Sequence, residues 1–185
     1  ILILAAIPHG GLRLDKEIRE IESAIRRADK REVFEIKVKT AIRPRDIRRA
    51  ISEERPQIVH FCGHGIEDGS LVLEDDGERD IFVSPEGLAE LFELHKNYVN
   101  CVVFNACHSA IAAASIVQHI DYAIGMNKPI GDASAIVFAE GFYDGLGYKN
   151  IDEDIVERAF KEGKAAVALQ YPKEKETLVL RSKKK

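Results

Sequence analysis

Ile58-Val-His-Phe-Cys-Gly-His-Gly65 and, further along, Cys101-Val-Val-Phe-Asn-Ala-Cys-His-Ser109 are the stretches that decide how this chain folds. Each begins as an apolar run and stops at small or polar residues, the pattern of a strand buried on both faces of a parallel sheet. Neighbouring strands of such a sheet lie about 4.8 Å apart, and ligands bind outside their carboxyl ends. If these two strands are neighbours, His64 and Cys107 meet at that rim. An imidazole beside a thiol makes a nucleophile and its base.

Outward from these strands, the chain alternates strand and helix with short connections, which predicts an α/β fold with a mainly parallel sheet. Ile1 to Ala6 is a fully buried strand, followed by a loop at Pro8-His9-Gly10-Gly11. Leu14, Ile18, Ile21, Ile25 and Ala28 share one face of an amphipathic helix whose charged residues face outward. Phe34, Ile36 and Val38 alternate with Glu35, Lys37 and Lys39, as in a half-exposed strand near an edge. Pro44 opens a helix to about Ser52, and Pro56 separates it from the strand Gln57 to Phe61. Leu71 to Leu73 and Ile81 to Val83 flank Asp75-Asp76-Gly77, which predicts a β-hairpin inserted after His64 and able to wall a cleft. Ser84-Pro85 caps a helix to about Leu94. Tyr122 to Met126 is another strand, Asp132 a cap for a helix over about 133–144, Asp154 to Leu169 a last helix, and Thr177 to Leu180 an edge strand.

The chain has 185 residues, 45% of them apolar and 31% charged, enough for one domain with a substantial core. A net charge of -4 and scattered basic residues argue against nucleic acid as a direct partner. The terminal Lys183-Lys184-Lys185 reads as a solvated tail. No apolar run approaches membrane-spanning length, no signal peptide is present, and three cysteines without a CxxC fit a reducing cytoplasm. Opening on Ile1 without Met is what a piece of a longer polypeptide would show.

The order strand, His-Gly, hairpin, helix, strand, Ala-Cys resembles the CHAT domain, a bacterial branch of the caspase-like cysteine peptidases related to caspases, separases and gingipains. The residues carrying the resemblance are Val59-His-Phe-Cys-Gly-His-Gly65, Val103-Phe-Asn-Ala-Cys107, Ile124-Gly-Met126, Gly131-Asp132-Ala133 and Phe138-Ala-Glu-Gly-Phe-Tyr143. It implies a caspase-like sheet in flavodoxin-like order, a His64–Cys107 catalytic dyad, hydrolysis of peptide bonds and no cofactor. The partners implied are a protein or peptide substrate and a sensor domain or partner protein that orders the cleft.

Chemistry points the same way, since the thiolate is the attacking species and both a helix amino terminus and an imidazolium favour it. Cys107 is expected just before a helix beginning near Ser109. The N–H groups of Gly65 and Cys107 are the expected donors to the oxyanion. For substrate binding, the resemblance points to Asp132 as the acid that meets a basic residue before the scissile bond; a capping role explains Asp132 equally well, and the two can coexist. Asn105 stands where some relatives carry an acid, and Asp121 is a further cleft candidate.

Other residues have plainer readings. His60, inside an apolar strand, is expected to be a hydrogen-bonded core residue, and Cys62 and Cys101 to be packing residues. His60, Cys62 and His64 lack a fourth ligand at a recognisable spacing, so no metal is expected. His108 is expected at the cleft rim or in solvent, and His9, His95 and His119 in loops or on helix surfaces. Two other functions stand against the peptidase. An idle caspase-like scaffold would not need both His64 and Cys107. A small-molecule-binding α/β module would need a phosphate-cradling glycine loop after the first strand or clustered strand-end aspartates; Pro8-His9-Gly10-Gly11 is only a faint version of that loop, with no GxxxxGK[ST], and there is no GxSxG either.

Overall fold

A computed structural model of the chain describes residues 1–6, 12–148 and 154–183. The predicted loop at Pro8 to Gly11, His9 within it, and the last two lysines lie outside the described residues. The strands are β1 (Leu2–Ala5), β2 (Lys37–Thr40), β3 (Ile58–Cys62), β4 (His64–Gly65), β5 (Leu71–Glu74), β6 (Asp80–Val83), β7 (Cys101–Asn105), β8 (Tyr122–Met126) and β9 (Leu178–Ser182). The α-helices are α1 (Leu14–Arg27), α2 (Pro44–Glu54), α3 (Pro85–His95), α4 (Ala110–Ile116), α5 (Asp132–Gly147) and α6 (Ile155–Gln170).

Among the described residues, the strands form two sheets, a six-stranded one in the order β2-β1-β3-β7-β8-β9 and a three-stranded one in the order β4-β5-β6. The pairs from β2 through β8 are parallel, and β9 closes the edge antiparallel to β8. This is the expected α/β architecture. The two apolar runs are neighbours, with Cys62 opposite Asn105.

Alternation along the strands builds two cores. Val59, Phe61, Val102 and Phe104 pack with residues of α2, α3 and α4 on one face. Ile3, Cys62, Val103, Ile124 and Met126 pack with those of α1, α5 and α6 on the other. Central strands buried on both sides must be apolar at nearly every position, which is why β3, β7 and β8 read as continuous runs.

Three local details depart from expectation. The inserted hairpin gains a third strand, because His64–Gly65 pairs antiparallel with Leu71 and Val72. A two-residue strand has too few positions to show a period. The hairpin turn is wider than an Asp-Gly pair: Asp75 accepts from Gly77 N at 2.7 Å and Arg79 N at 3.0 Å, and the left-handed residue is Glu78, at φ 58°. Those bonds, with the Arg79 guanidinium, hold the Asp75 carboxyl down at about 2. Lastly, Asp132 is the first residue inside α5, and the cap is Gly131 with no side-chain bond. By contrast Ser84 caps α3, accepting from Gly87 N, and Asp154 caps α6, accepting from Val156 N and Glu157 N, so the last helix begins one residue after its predicted start.

Candidate active site

The chain must turn from β7 into α4 within Ala106 to Ser109, and the turn is tight because His108 takes a left-handed conformation, φ 56°. A non-glycine residue there is strained, and strain of this kind concentrates at functional turns. The turn leaves Cys107 and His108 half-buried on its outer side, so Cys107 is the one accessible thiol beside the buried Cys62 and Cys101. Ser109, fully buried, holds the turn down: its hydroxyl donates to Phe104 O (3.1 Å) or Ala106 O (2.7 Å) and accepts from Met126 N (3.0 Å). Gly125 gives it room, since a Cβ there would fall 2.7 Å from the Ser109 and Ala110 backbone. The helix α4 begins one residue later than expected, at Ala110, and is seven residues long.

The other half of the rim is β4. His64 and Cys107 each stand two residues beyond the paired positions Cys62 and Asn105, so parallel register carries both to the same end of the sheet. The Gly65 backbone lies against the Cys107 carbonyl so closely that a Cβ at Gly65 would sit 2.1 Å from that oxygen. No L-residue but glycine fits there. His64 and Gly65 are half-buried, as Cys107 is. A half-exposed cysteine with a histidine on the adjoining segment can perform nucleophilic acyl transfer.

This contact makes a prediction. Gly65→Ala must push β4 away from Cys107, and a displacement of about 1 Å at a reacting centre costs on the order of 100-fold in rate. We expect kcat/KM on a peptide substrate to fall by about that factor. Wild-type turnover by Gly65→Ala would show that the β4 contact does not set the site's geometry.

Beneath the rim, on the α1 and α5 side, lies a buried polar network. Glu17 of α1, only 4% exposed, is linked through Oε1 to His60 Nε2 (2.8 Å) and to Asn105 Nδ2 (2.6 Å). His60 Nδ1 meets the Tyr143 hydroxyl at 3.1 Å, and Asn105 Nδ2 also donates to Ala135 O at 3.0 Å. Burial, then the charge of and hydrogen bond to Glu17, push the Cys62 thiol well up and keep it protonated. Burial likewise raises the thiol of Cys101 and the hydroxyl of Tyr143. His60, Cys62 and Cys101 are therefore the core residues expected. Glu17, His60 and Cys62 bring their ligand atoms within 4.8 Å of one another, a donor set suited to zinc. Glu17 Oε1 is already shared between His60 and Asn105, so the three form a hydrogen-bonded cluster.

Of the three substrate-binding candidates, the structure brings one to the open rim. Asp132 opens α5, which follows β8 at the carboxyl end, and its carboxylate takes Arg13 Nε at 2.8 Å. Asn105 is at the same end but turned into the core. Asp121 precedes β8 and so lies at the amino end, where its carbonyl accepts from Lys183 N. His119 is half-buried, 3.9 Å from Glu93. His95 is also half-buried, bonded to Tyr98 through Nδ1 at 2.5 Å, and burial lowers its imidazole. Glu17 and Ser109 are the site-supporting residues that the sequence reading passed over. Among the described residues no helix is long and apolar enough to cross a membrane.

Comparison with known proteins agrees with the fold. The family model for the CHAT domain matches residues 12–162. A curated protein from an unknown prokaryotic organism, described as a Roc-COR-CHAT protease, is 25% identical over 152 residues, covering 77% of this chain and 14% of its own length. The chain thus spans a small fraction of the length of that relative.

Proposed function

The chain belongs to the CHAT domain family of caspase-like peptidases, and from that premise we propose that it is a cysteine endopeptidase working through Cys107 and His64, with a preference for Arg or Lys before the scissile bond. The observation that carries this reading is the seating of the Gly65 backbone, next to His64, on the Cys107 carbonyl at the carboxyl end of the parallel sheet.

Each residue has a definite task. The Cys107 thiolate attacks the scissile carbonyl carbon, and the resulting oxyanion is met by the N–H groups of Gly65 and Cys107. Collapse of the tetrahedral intermediate breaks the C–N bond, and His64 delivers its proton to the departing amine. Water, deprotonated by the same imidazole, then hydrolyses the thioester and returns Cys107 to its starting state. The sharp turn at His108 and the Ser109 bonds keep the thiol fixed through both steps.

Asp132 is the specificity acid of this reading. That it already holds a guanidinium at 2.8 Å supports the role. Asp132→Asn is expected to reduce kcat/KM on fluorogenic peptides with Arg or Lys before the cleaved bond by at least about tenfold, leaving slower turnover after neutral residues unchanged. Equal loss on every substrate would contradict the assignment. The relative's name joins CHAT to Roc and COR; by extension, this peptidase is a unit of a longer polypeptide, or has a partner, that governs access to the cleft. The setting we propose is the reducing cytoplasm of a bacterium, in a signalling or defence system, and three free cysteines support it.

A further inference from the structure

We propose that Asp132 is the centre of a guanidinium-binding site which the chain fills with its own Arg13, so that an arginine side chain from a substrate must displace Arg13 to bind. The inference rests on the role given to Asp132 above, and adds an occupant and a form of control.

Arg13 stands immediately before α1, and Asp132 opens α5. The Arg13 Nε donates to Asp132 Oδ2 at 2.8 Å and its backbone N to Oδ1 at 3.4 Å. One helical turn further along α1, Glu17 holds Asn105, and Asn105 in turn holds Ala135, one turn into α5. A turn is about 5.4 Å. The Arg13–Asp132 pair therefore lies one rung above Asn105, which is two residues before Cys107 on β7. That is where the side chain next to a bond held at Cys107 would descend.

The walls of the site suit a cation. Glu174, in the segment between α6 and β9, accepts from Gly131 N at 2.8 Å and so holds a carboxylate beside Asp132. The hydrogen bond to Asp132, and then its charge, raise the Arg13 guanidinium above its ordinary range. A planar guanidinium offers parallel N–H donors to the two oxygens of a carboxylate, whereas an ammonium offers a point charge. The site should accordingly prefer arginine to lysine.

The occupancy is built to be reversible. The Arg13 side chain is 52% exposed and that of Asp132 28%. Exposed ion pairs are weak and salt-screened, so Arg13 delays a substrate without excluding it. Release of Arg13 by anything that moves the start of α1 would sharpen affinity for arginine at Asp132.

The test is an NMR titration of the 185-residue chain with Nα-acetyl-arginine methylamide. Arg13→Ala and Arg13→Gln are expected to bind roughly two- to fivefold more tightly than wild type. The gain should vanish when Asp132→Asn is added, and should be smaller for the lysine analogue. Unchanged or weaker binding by both Arg13 variants, or a gain that survives Asp132→Asn, would overturn the inference. Covalent labelling of Cys107 by an arginyl acyloxymethyl ketone is read alongside. A binding gain without labelling, and with iodoacetamide alkylation of Cys107 indifferent to His64, overturns the peptidase reading alone; labelling without a gain overturns the Arg13 inference alone; absence of the gain together with both signs of an activated Cys107 overturns both.

Discussion

Cys107→Ala is expected to abolish peptide cleavage, a loss of at least about 10³-fold, with the far-UV circular dichroism spectrum unchanged. The size follows from the chemistry. Without sulfur there is no nucleophile and no thioester, and what remains is binding plus the oxyanion donors. The fold should not notice. Cys107 is half-buried on a surface turn whose shape depends on His108 and on Ser109, whose hydroxyl is tied to Phe104, Ala106 and Met126. His64→Ala should lose a similar factor, because the leaving amine would depart unprotonated, and the double variant should be no worse than either single one, since the two groups act as a unit. Additive losses would mean that His64 and Cys107 serve different steps. Cleavage that survives Cys107→Ala would remove the assignment.

The largest expected effect on stability is at Glu17. Glu17→Ala takes away the acceptor of His60 Nε2 and of Asn105 Nδ2, both in groups that are at most 4% exposed. Leaving a buried donor without its acceptor costs about 1–3 kcal/mol, and Glu17→Ala strands two of them. That is a large share of the 5–15 kcal/mol typical of a domain. Urea denaturation should show the midpoint falling accordingly, with Glu17→Gln much less affected because an amide oxygen still accepts. The folded fraction of Glu17→Ala should also cleave more slowly, as Asn105 leads directly into the Cys107 turn. A midpoint shift equivalent to less than about 1 kcal/mol would mean that the network contributes little.

Much of this fold was legible because it obeys two periods. Apolar runs marked β1, β3, β7 and β8, which are buried on both faces, and a 3.6-residue repeat marked α1. The rim followed from register: His64 and Cys107 lie the same distance beyond paired residues. Glu17 was legible too, though read as part of the solvent face. Its spacing of three from Leu14 and four to Ile21 places it on the buried stripe, and His60 in an apolar strand needed such a partner. Asp121 was misplaced for a topological reason, since a residue preceding a parallel strand belongs to the opposite end from one that follows it. The cap at Gly131 was hidden, because what draws the Asp132 carboxylate away is Arg13, more than a hundred residues earlier. Long-range pairs of this kind leave no local period. The same holds for β4, whose two residues pair only because β5 is there to receive them.

The most direct test is intact-mass spectrometry after exposure to an arginyl peptidyl acyloxymethyl ketone, on the wild-type chain and the Cys107→Ala and His64→Ala variants. The predicted result is one adduct on the wild type and none on either variant. If that is absent, iodoacetamide at pH 6 should still alkylate Cys107, and should do so many times more slowly in His64→Ala, as an activated thiolate requires. An arginyl adduct that forms without Cys107, or no adduct together with alkylation at Cys107 indifferent to His64, would contradict the dyad and leave a caspase-like scaffold in its place.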